Sequence, residues 1–294
     1  MKKTGLIYIL MGFLLVSCYN DENIKGEESQ PKYIVEDGDE PVDHFIYQFY
    51  QKYDAFILYN YESIDYIWNM STLLDVKLVK QENKAILNEG VKYMDKVLFK
   101  YYTDDFKKRY FPFKILMADS VQVAQSAVWY KDETACAGLS YMGIGKIRSG
   151  ISEIAPDSLV FLRGKMHATL WGNFLYNNEM IDFPEAYWKI SSEYYGTNLK
   201  QIDGNSSLKP DQVDTRKYGF WDRDRTRDSG NSYCMAPNRT QDISQFINMI
   251  TTHTAAEMEA LIAPYDRLKD KYYLLINQIK DEYGVDIQAI GNEK

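Results

Sequence analysis

One short stretch of the sequence places a histidine where a zinc-binding helix would need one. In KMHATLWGNFLYN, residues 165–177, His167 is followed by Ala168 and, four positions after the histidine, by Trp171. A zinc hydrolase helix carries two histidines four residues apart, and a glutamate beside the first takes a proton from the metal-bound water. Alanine accepts no proton, and the indole N–H offers zinc no lone pair. The stretch therefore predicts a helix that cannot support this chemistry, although a lone histidine is also typical of a hydrogen-bonded core residue.

The surrounding elements predict an α+β fold, with a small mixed sheet followed by helices. Apolar residues repeat at helical spacing in five segments: Phe45–Tyr53, 80–100, 159–175, 241–262 and 265–283. Strands are expected at three places: 56–61, 114–123 and 137–150. Residues 184–196 are expected to be helical or irregular, and 200–240 to be loop-rich, because polar residues and breakers dominate there. The helix through His167 carries few charges, so it should be buried on most of its circumference.

The N-terminus has the pattern of an export signal. Lys2 and Lys3 precede an apolar run over residues 5–16, which is too short to span a bilayer permanently. The run ends in Leu-Val-Ser before Cys18, which resembles the cleavage site of bacterial lipoproteins. That resemblance implies removal of residues 1–17 as a signal peptide and lipidation of Cys18. Residues 18–40 are acidic and poor in large apolar side chains, which predicts a flexible tether before a single domain at 41–294.

Composition excludes some partners and leaves others open. The formal charge is −8 and no basic cluster occurs, so nucleic acid is not an expected partner. The 25 tyrosines suit a packed core and, less specifically, extracellular contacts with sugars or peptides. Beyond the predicted lipidation site, only Cys136 and Cys234 remain, and they could pair in an oxidising compartment, although their spacing does not show whether they meet.

Taken in order, several motifs resemble the zinc-binding metallopeptidase lipoproteins that accompany outer-membrane nutrient importers of the starch-utilisation type. The resemblance covers most of residues 43–290. In that family a strand precedes a helix with H-E-x-x-H, and a Y-G-F stretch, an acidic helix start and a long C-terminal helix follow. The corresponding segments here are DHFIYQFYQKYDAFILYNY (43–61), His167–Tyr176, DFPEAYWKISSEYYG (182–196), Tyr218–Phe220, Gln241–Gln245 and YYLLINQIKDEYGVDIQAI (272–290).

The resemblance implies a zincin-like fold in which the acidic helix start supplies the third zinc ligand, a glutamate. Here both glutamate positions hold glutamines, Gln241 and Gln245, whose amide oxygens are weaker zinc ligands than carboxylates. With His167, Ala168 and Trp171 at the other motif positions, we expect no zinc cofactor and a catalytically inactive pseudoenzyme. The alternatives are an active metallohydrolase with non-standard ligands and a structural accessory of the importer that binds no ligand.

A binding role in place of hydrolysis has one candidate segment. YGFWDRDRTRDSGNSY, residues 218–233, alternates acidic and basic side chains around aromatic rings, as a sugar- or peptide-binding loop would. A solvated loop held by local ion pairs would have the same pattern. The candidate ligand-binding residues are Trp171, Tyr176, Phe220, Trp221 and Tyr233. The expected location is the outer membrane, with the lipid anchor holding the domain at the cell surface, where it would bind a glycan or peptide or dock on an importer.

Overall fold

Helices and the strands of a six-stranded sheet alternate along the N-terminal half of the chain, and the C-terminal half is mainly helical. The computed structural model describes residues 32–67, 76–124, 129–202, 204–227 and 232–293. Within it, Glu36–Lys294 form one compact unit. The predicted signal peptide, Cys18 and most of the predicted tether lie outside the described residues. No helix in the described part of the chain is long and apolar enough to cross a membrane.

The sheet is organised around one long strand. The strands are β1 (Phe56–Leu58), β2 (Val76–Lys80), β3 (Lys114–Ala124), β4 (Tyr130–Glu133), β5 (Ala135–Ala137) and β6 (Tyr141–Ile144). The first half of β3 pairs in parallel with β1 and β6, and its second half pairs antiparallel with β2 and β4. Strand β5 pairs with β6 and ends the path β1-β3-β6-β5. The predicted mixed sheet is confirmed, with β2 and β4 as strands that periodicity did not indicate.

Three helices pack in the N-terminal half, and local caps define their starts. They are α1 (Pro41–Tyr53), α2 (Lys84–Val97) and α3 (Asp104–Tyr110). Proline in the first turn suits α1 because the N–H it lacks would have no helical partner there. Asn83 and Thr103 cap α2 and α3 by accepting backbone N–H bonds with their side chains. The helices expected at Phe45–Tyr53 and 80–100 are confirmed.

The helix that carries His167 changes its hydrogen-bond pattern midway. Helix α4 (Pro156–Ala168) continues into a π-helical segment, Thr169–Tyr176, with bonds such as Asn177 N–H to Gly172 C=O. We call residues 156–176 the central helix. It begins at Pro156 rather than near Leu159, because proline fixes a helical φ in the first turn. π-Helical segments are rare and occur often at functional sites.

Five helices form the C-terminal half: α5 (Glu185–Lys189), α6 (Arg239–Thr252), α7 (Ala255–Ile262), α8 (Asp266–Tyr283) and α9 (Ile287–Asn292). The single helix expected over 241–262 is divided, because His253 is extended and Thr254 starts α7 with a capping box to Glu257. Gly284 ends α8 in the left-handed region at φ 69°, as its position predicted. The central helix packs lengthwise on α6, and this pair frames the candidate site.

Candidate functional site

A cavity of about 970 Å³ opens between the edge of the sheet, the central helix, α6 and the loop that precedes α6. We call it the cleft. Strand β5 forms one wall, because its outer edge pairs with no other described strand. The polar and small side chains that line it are Glu133, Thr134, Lys165, Ala168, Thr169, Asn173, Asn177, Arg216, Trp221, Asp222, Arg225, Thr240, Ser244, Gln245 and Asn248. Amides, hydroxyls and cations therefore share its surface with apolar side chains such as Val123, Met249 and Leu261.

His167 faces the protein core and not the cleft. Its side chain is fully buried, and its Nδ1 lies 2.6 Å from the hydroxyl of Tyr102. Trp171, one turn on, donates its indole N–H to the same hydroxyl at 2.9 Å. Because that hydroxyl accepts from Trp171, its own hydrogen is available to an unprotonated His167 Nδ1. Burial, aided by the charge of Arg163, lowers the pKa of His167 to about 3 and keeps the imidazole neutral.

The opposite face of the central helix touches α6 too closely to leave room for an ion. A Cβ added to Gly172 would overlap Ser244, and one added to Gly164 would overlap Thr252. Ser244 Oγ lies 3.4 Å from the carbonyl oxygen of Ala168. Small residues spaced four apart on the central helix thus pack against short polar side chains on α6. At these positions the two helices leave no space for an ion between them.

The two glutamines expected at the third-ligand position hold the preceding loop instead. Gln241 accepts a bond from the backbone N–H of Asn238 and donates its amide N–H to Asp224 Oδ1, both at 2.9 Å. Gln245 accepts the backbone N–H of Asp222 at 3.0 Å and also lines the cleft. A glutamate at 241 would set a second carboxylate against the buried Asp224. The uncharged amide of Gln241 is therefore what this local structure requires.

A buried ion pair anchors the same loop from beneath. Lys271 of α8 donates to Asp242 Oδ2 at 2.7 Å, to the Gly219 carbonyl at 3.0 Å and to the Tyr195 hydroxyl at 3.2 Å. Its ammonium also lies 4.6 Å from the ring centre of Phe220. Burial lowers the pKa of Lys271 and raises the pKa of Asp242, and the charge of each partner opposes the shift of the other. The sequence did not indicate this pair, because α6 and α8 meet only in the fold.

One of the five predicted ligand-binding residues lines the cleft. Trp221 does so, with its ring against Phe246 on α6. Trp171 and Phe220 are fully buried, so the predicted contribution of Trp171 to the cleft wall is wrong. Tyr176 packs on Trp188, and Tyr233 is exposed, and neither is among the described residues that line the cleft. Of the motif positions, Ala168 and Gln245 line the cleft.

Cys136 and Cys234 form no disulfide, and they lie in different apolar clusters. Cys136 packs with Leu78 and Tyr141 beside the sheet, and burial raises the pKa of its thiol to about 12. Cys234 packs with Leu199 and Phe220 beneath the loop. Because a disulfide requires Cβ atoms about 4 Å apart, these two buried thiols are not bridged in this fold.

The architecture is shared with a crystal structure described as a "putative zinc-binding metallo-peptidase" from Bacteroides caccae. The two chains are 15% identical, the match covers 85% of this chain and 88% of that chain, and the TM-score is 0.50. At this identity the likeness establishes the fold alone, so the predicted α+β class, with a small mixed sheet and a helical C-terminal part, is confirmed. No family model and no curated protein sequence matches the chain.

The residues of the cleft do not suit the zinc that such a fold implies. Zinc sites use histidine nitrogens, thiolates and carboxylates, usually four donors in a tetrahedron. In the described part of the chain, no three His, Cys, Asp or Glu side chains lie close enough to hold one ion. The cleft instead offers carboxamides and hydroxyls, and its carboxylate at Asp222 is already paired with Arg225. His167, the motif's histidine, is hydrogen-bonded in the core.

Proposed function

We propose that this chain is a catalytically inactive relative of the metallopeptidase fold that binds an extended ligand, a glycan or a peptide, in the cleft. The observation that carries the proposal is the contact between Gly164 and Gly172 of the central helix and Thr252 and Ser244 of α6. That contact leaves no room for an ion between these residues, and the motif histidine, His167, is buried on another face of the helix. The cleft beside it remains open and is lined by groups that form hydrogen bonds.

Several features support retention of the cleft for binding. Gln241 and Gln245 fasten the loop to α6 through the Asp224 carboxylate and the backbone N–H of Asp222, which lies next to Trp221 in the chain. The buried Lys271 anchors the same loop through the carbonyl of Gly219. Rigid support of this kind lowers the ordering cost that a ligand must otherwise offset.

The anchoring of the domain is a further part of the proposal. The Leu-Val-Ser-Cys pattern at residues 15–18 supports lipidation of Cys18, and the acidic residues that follow support display at the cell surface. A Cys18→Ala variant should appear in the soluble fraction, whereas the natural chain should fractionate with the outer membrane and become accessible to added protease on intact cells. Membrane association that survives Cys18→Ala would contradict this part.

The metal content of the protein tests the inactive state. Protein purified without chelator should contain zinc well below one ion per chain and should not cleave a mixed peptide library in the presence of added zinc. One zinc per chain with zinc-dependent cleavage would instead support the competing interpretation, an active metallohydrolase with non-standard ligands. That result would overturn the proposal.

Ligand capture tests the binding function separately. Polysaccharide and peptide arrays should give binding that is lost in Asn173→Trp, which places a bulky ring in the cleft, and kept in Gln51→Trp on α1. Both positions are exposed, so neither change should affect folding. If no glycan or peptide binds while an importer co-purifies with the chain, the proposal fails in favour of a purely structural accessory role.

A further inference from the structure

The carboxamide side chains of the cleft present their donors and not their acceptors. Asn173 Oδ1 accepts from Ser244 Oγ at 3.2 Å, and Asn177 Oδ1 lies 3.4 Å from the hydroxyl of Thr240. Gln245 Oε1 accepts the Asp222 backbone N–H at 3.0 Å. The NH₂ groups of these three residues have no hydrogen-bond partner among the residues that the structure describes. Each carboxamide is thus oriented by its oxygen and keeps two donors for a ligand.

The indole N–H of Trp221 and the Nδ2 of Asn248 also have no partner in the described part of the chain, but both atoms are shielded from solvent and are therefore closed to a ligand. A positive charge lies beside the free carboxamide donors. Lys165 lies over the ring of Phe161 and pairs with no carboxylate of the described residues. Its charge is therefore available to the cleft.

The two acidic residues of the cleft do not offset this excess. Asp222 accepts two bonds from Arg225, at 2.5 and 3.1 Å, and one from the backbone N–H of Arg223. Glu133 pairs with Lys131 at 2.5 Å. With both carboxylates paired, the cleft presents the ammonium of Lys165 and the free N–H donors of its carboxamides, beside hydroxyls and the edge of β5 that pairs with no other described strand, both of which can donate or accept.

From this imbalance we infer that the cleft binds an acidic oligosaccharide whose sugars carry carboxylates. A uronate chain presents two acceptor oxygens on each carboxylate as well as its ring and hydroxyl oxygens, which matches a row of donors beside Lys165. A peptide backbone is a poorer match, because each residue brings one donor with each acceptor. The inference rests on the proposed binding function and names the ligand class for it.

Isothermal titration with oligogalacturonate, oligomannuronate and oligoguluronate tests the inference on the intact domain. At least one should bind, and its fully methyl-esterified form and a neutral oligosaccharide of equal length should bind about tenfold or more weakly. Raising the salt concentration should weaken uronate binding, because the attraction to Lys165 is screened. Absence of binding by all three uronates would overturn the inference.

Two isosteric variants connect binding to the donors. Asn173→Asp and Gln245→Glu keep the oxygen that orients each side chain but replace its NH₂ with a charged acceptor. Each should weaken uronate binding by about tenfold or more, with an unchanged melting temperature. Gln51→Glu adds the same charge on the exposed face of α1, away from the cleft. Its affinity for uronate should stay within about twofold of that of the natural chain, because exposed substitutions usually have small effects.

The possible failures are distinguishable. Equal or tighter binding of neutral oligosaccharides or of acidic peptides, abolished by Asn173→Trp, would refute the uronate assignment and leave a binding function for the cleft. Binding of uronates that both isosteric variants retain would place the ligand elsewhere and refute it as well. Zinc-dependent cleavage would refute the proposed function itself.

Discussion

The two faces of the central helix have opposite chemistry. One face carries the large side chains of His167 and Trp171, which share the hydroxyl of Tyr102 in a fully buried aromatic cluster. The other carries Gly172, which α6 approaches at contact distance, and Asn173, whose amide faces solvent at the cleft. The histidine thus stabilises the fold, whereas the cleft brings together no three zinc-ligand side chains among the described residues. A motif position and a site position can lie on one helix without sharing a face.

The two faces should differ most in the unfolding free energy that is lost when a tryptophan is replaced by alanine. Trp171→Ala removes a fully buried indole and its hydrogen bond, so we expect a loss of about 3–5 kcal/mol in unfolding free energy, measured by urea denaturation. Trp221→Ala is the matched change at the cleft and should cost about 1 kcal/mol or less while weakening ligand binding. Similar losses for the two variants would contradict the division into a core face and a cleft face.

The closeness of the helix–helix contact is tested by adding one methyl group. Gly172→Ala should destabilise the fold by about 1–3 kcal/mol, because its Cβ would overlap Ser244. Ser244→Ala removes the overlapping hydroxyl and should restore part of that loss in the double variant, measured as a double-mutant cycle. Lys165→Ala, on the same helix and half-buried, is the control for effects of helix propensity. A stabilising Gly172→Ala would show that the helices lie farther apart than described here.

The core histidine should make stability depend on pH. Its folded-state pKa of about 3 lies below the ordinary 6.5, so as pH falls the unfolded chain takes up this proton first. The contribution of neutral His167 is therefore complete above about pH 6.5 and is lost progressively towards pH 3. From pH 7 to pH 5 the loss should be about 2 kcal/mol.

The variant His167→Gln keeps an acceptor for Tyr102 and removes the titrating ring. Its unfolding free energy, measured by denaturation between pH 7 and pH 5, should change less with pH than that of the natural chain. Carboxylates that titrate in both proteins cancel in this comparison. Parallel profiles for the two proteins would mean that His167 is accessible to protons in the folded state.

The smallest expected effect concerns the glutamine that faces Asp224. Gln241→Glu should cost about 1 kcal/mol near neutral pH, because a donor to a buried carboxylate becomes a second carboxylate. Gln241→Met, which lacks the charge, separates repulsion from the loss of the bond. Amide exchange in residues 218–227 should rise in the glutamate variant. Unchanged exchange would show that Gln241 does not hold this loop.

Sequence periodicity predicted most helices because their apolar faces repeat regularly, as in α2 and α8. The break between α6 and α7 was also encoded, since Thr254 and Glu257 have capping-box spacing, but the apolar pattern that continued past it concealed the signal. The sequence did not predict which side chains of the central helix face the cleft. Which residues face the cleft depends on the π-helical segment and on contact with α6, and neither has a local signature in the sequence.

The candidate site could also be predicted from the sequence only in part. The absence of a working zinc motif at Ala168 and Trp171 could be inferred from residue types alone. The free donors of the cleft could not, because they depend on the oxygen of each carboxamide being already bonded. Asn173, Asn177 and Asn248 are unremarkable in the sequence and become a set only when two helices lie side by side.

Anomalous diffraction at the zinc absorption edge, from crystals grown with excess zinc chloride, tests the central claim most directly. We predict no anomalous peak between the central helix and α6, with His167 Nδ1 still bonded to the Tyr102 hydroxyl. A peak about 2.1 Å from a His167 nitrogen, with that bond broken and α6 displaced, would contradict the account.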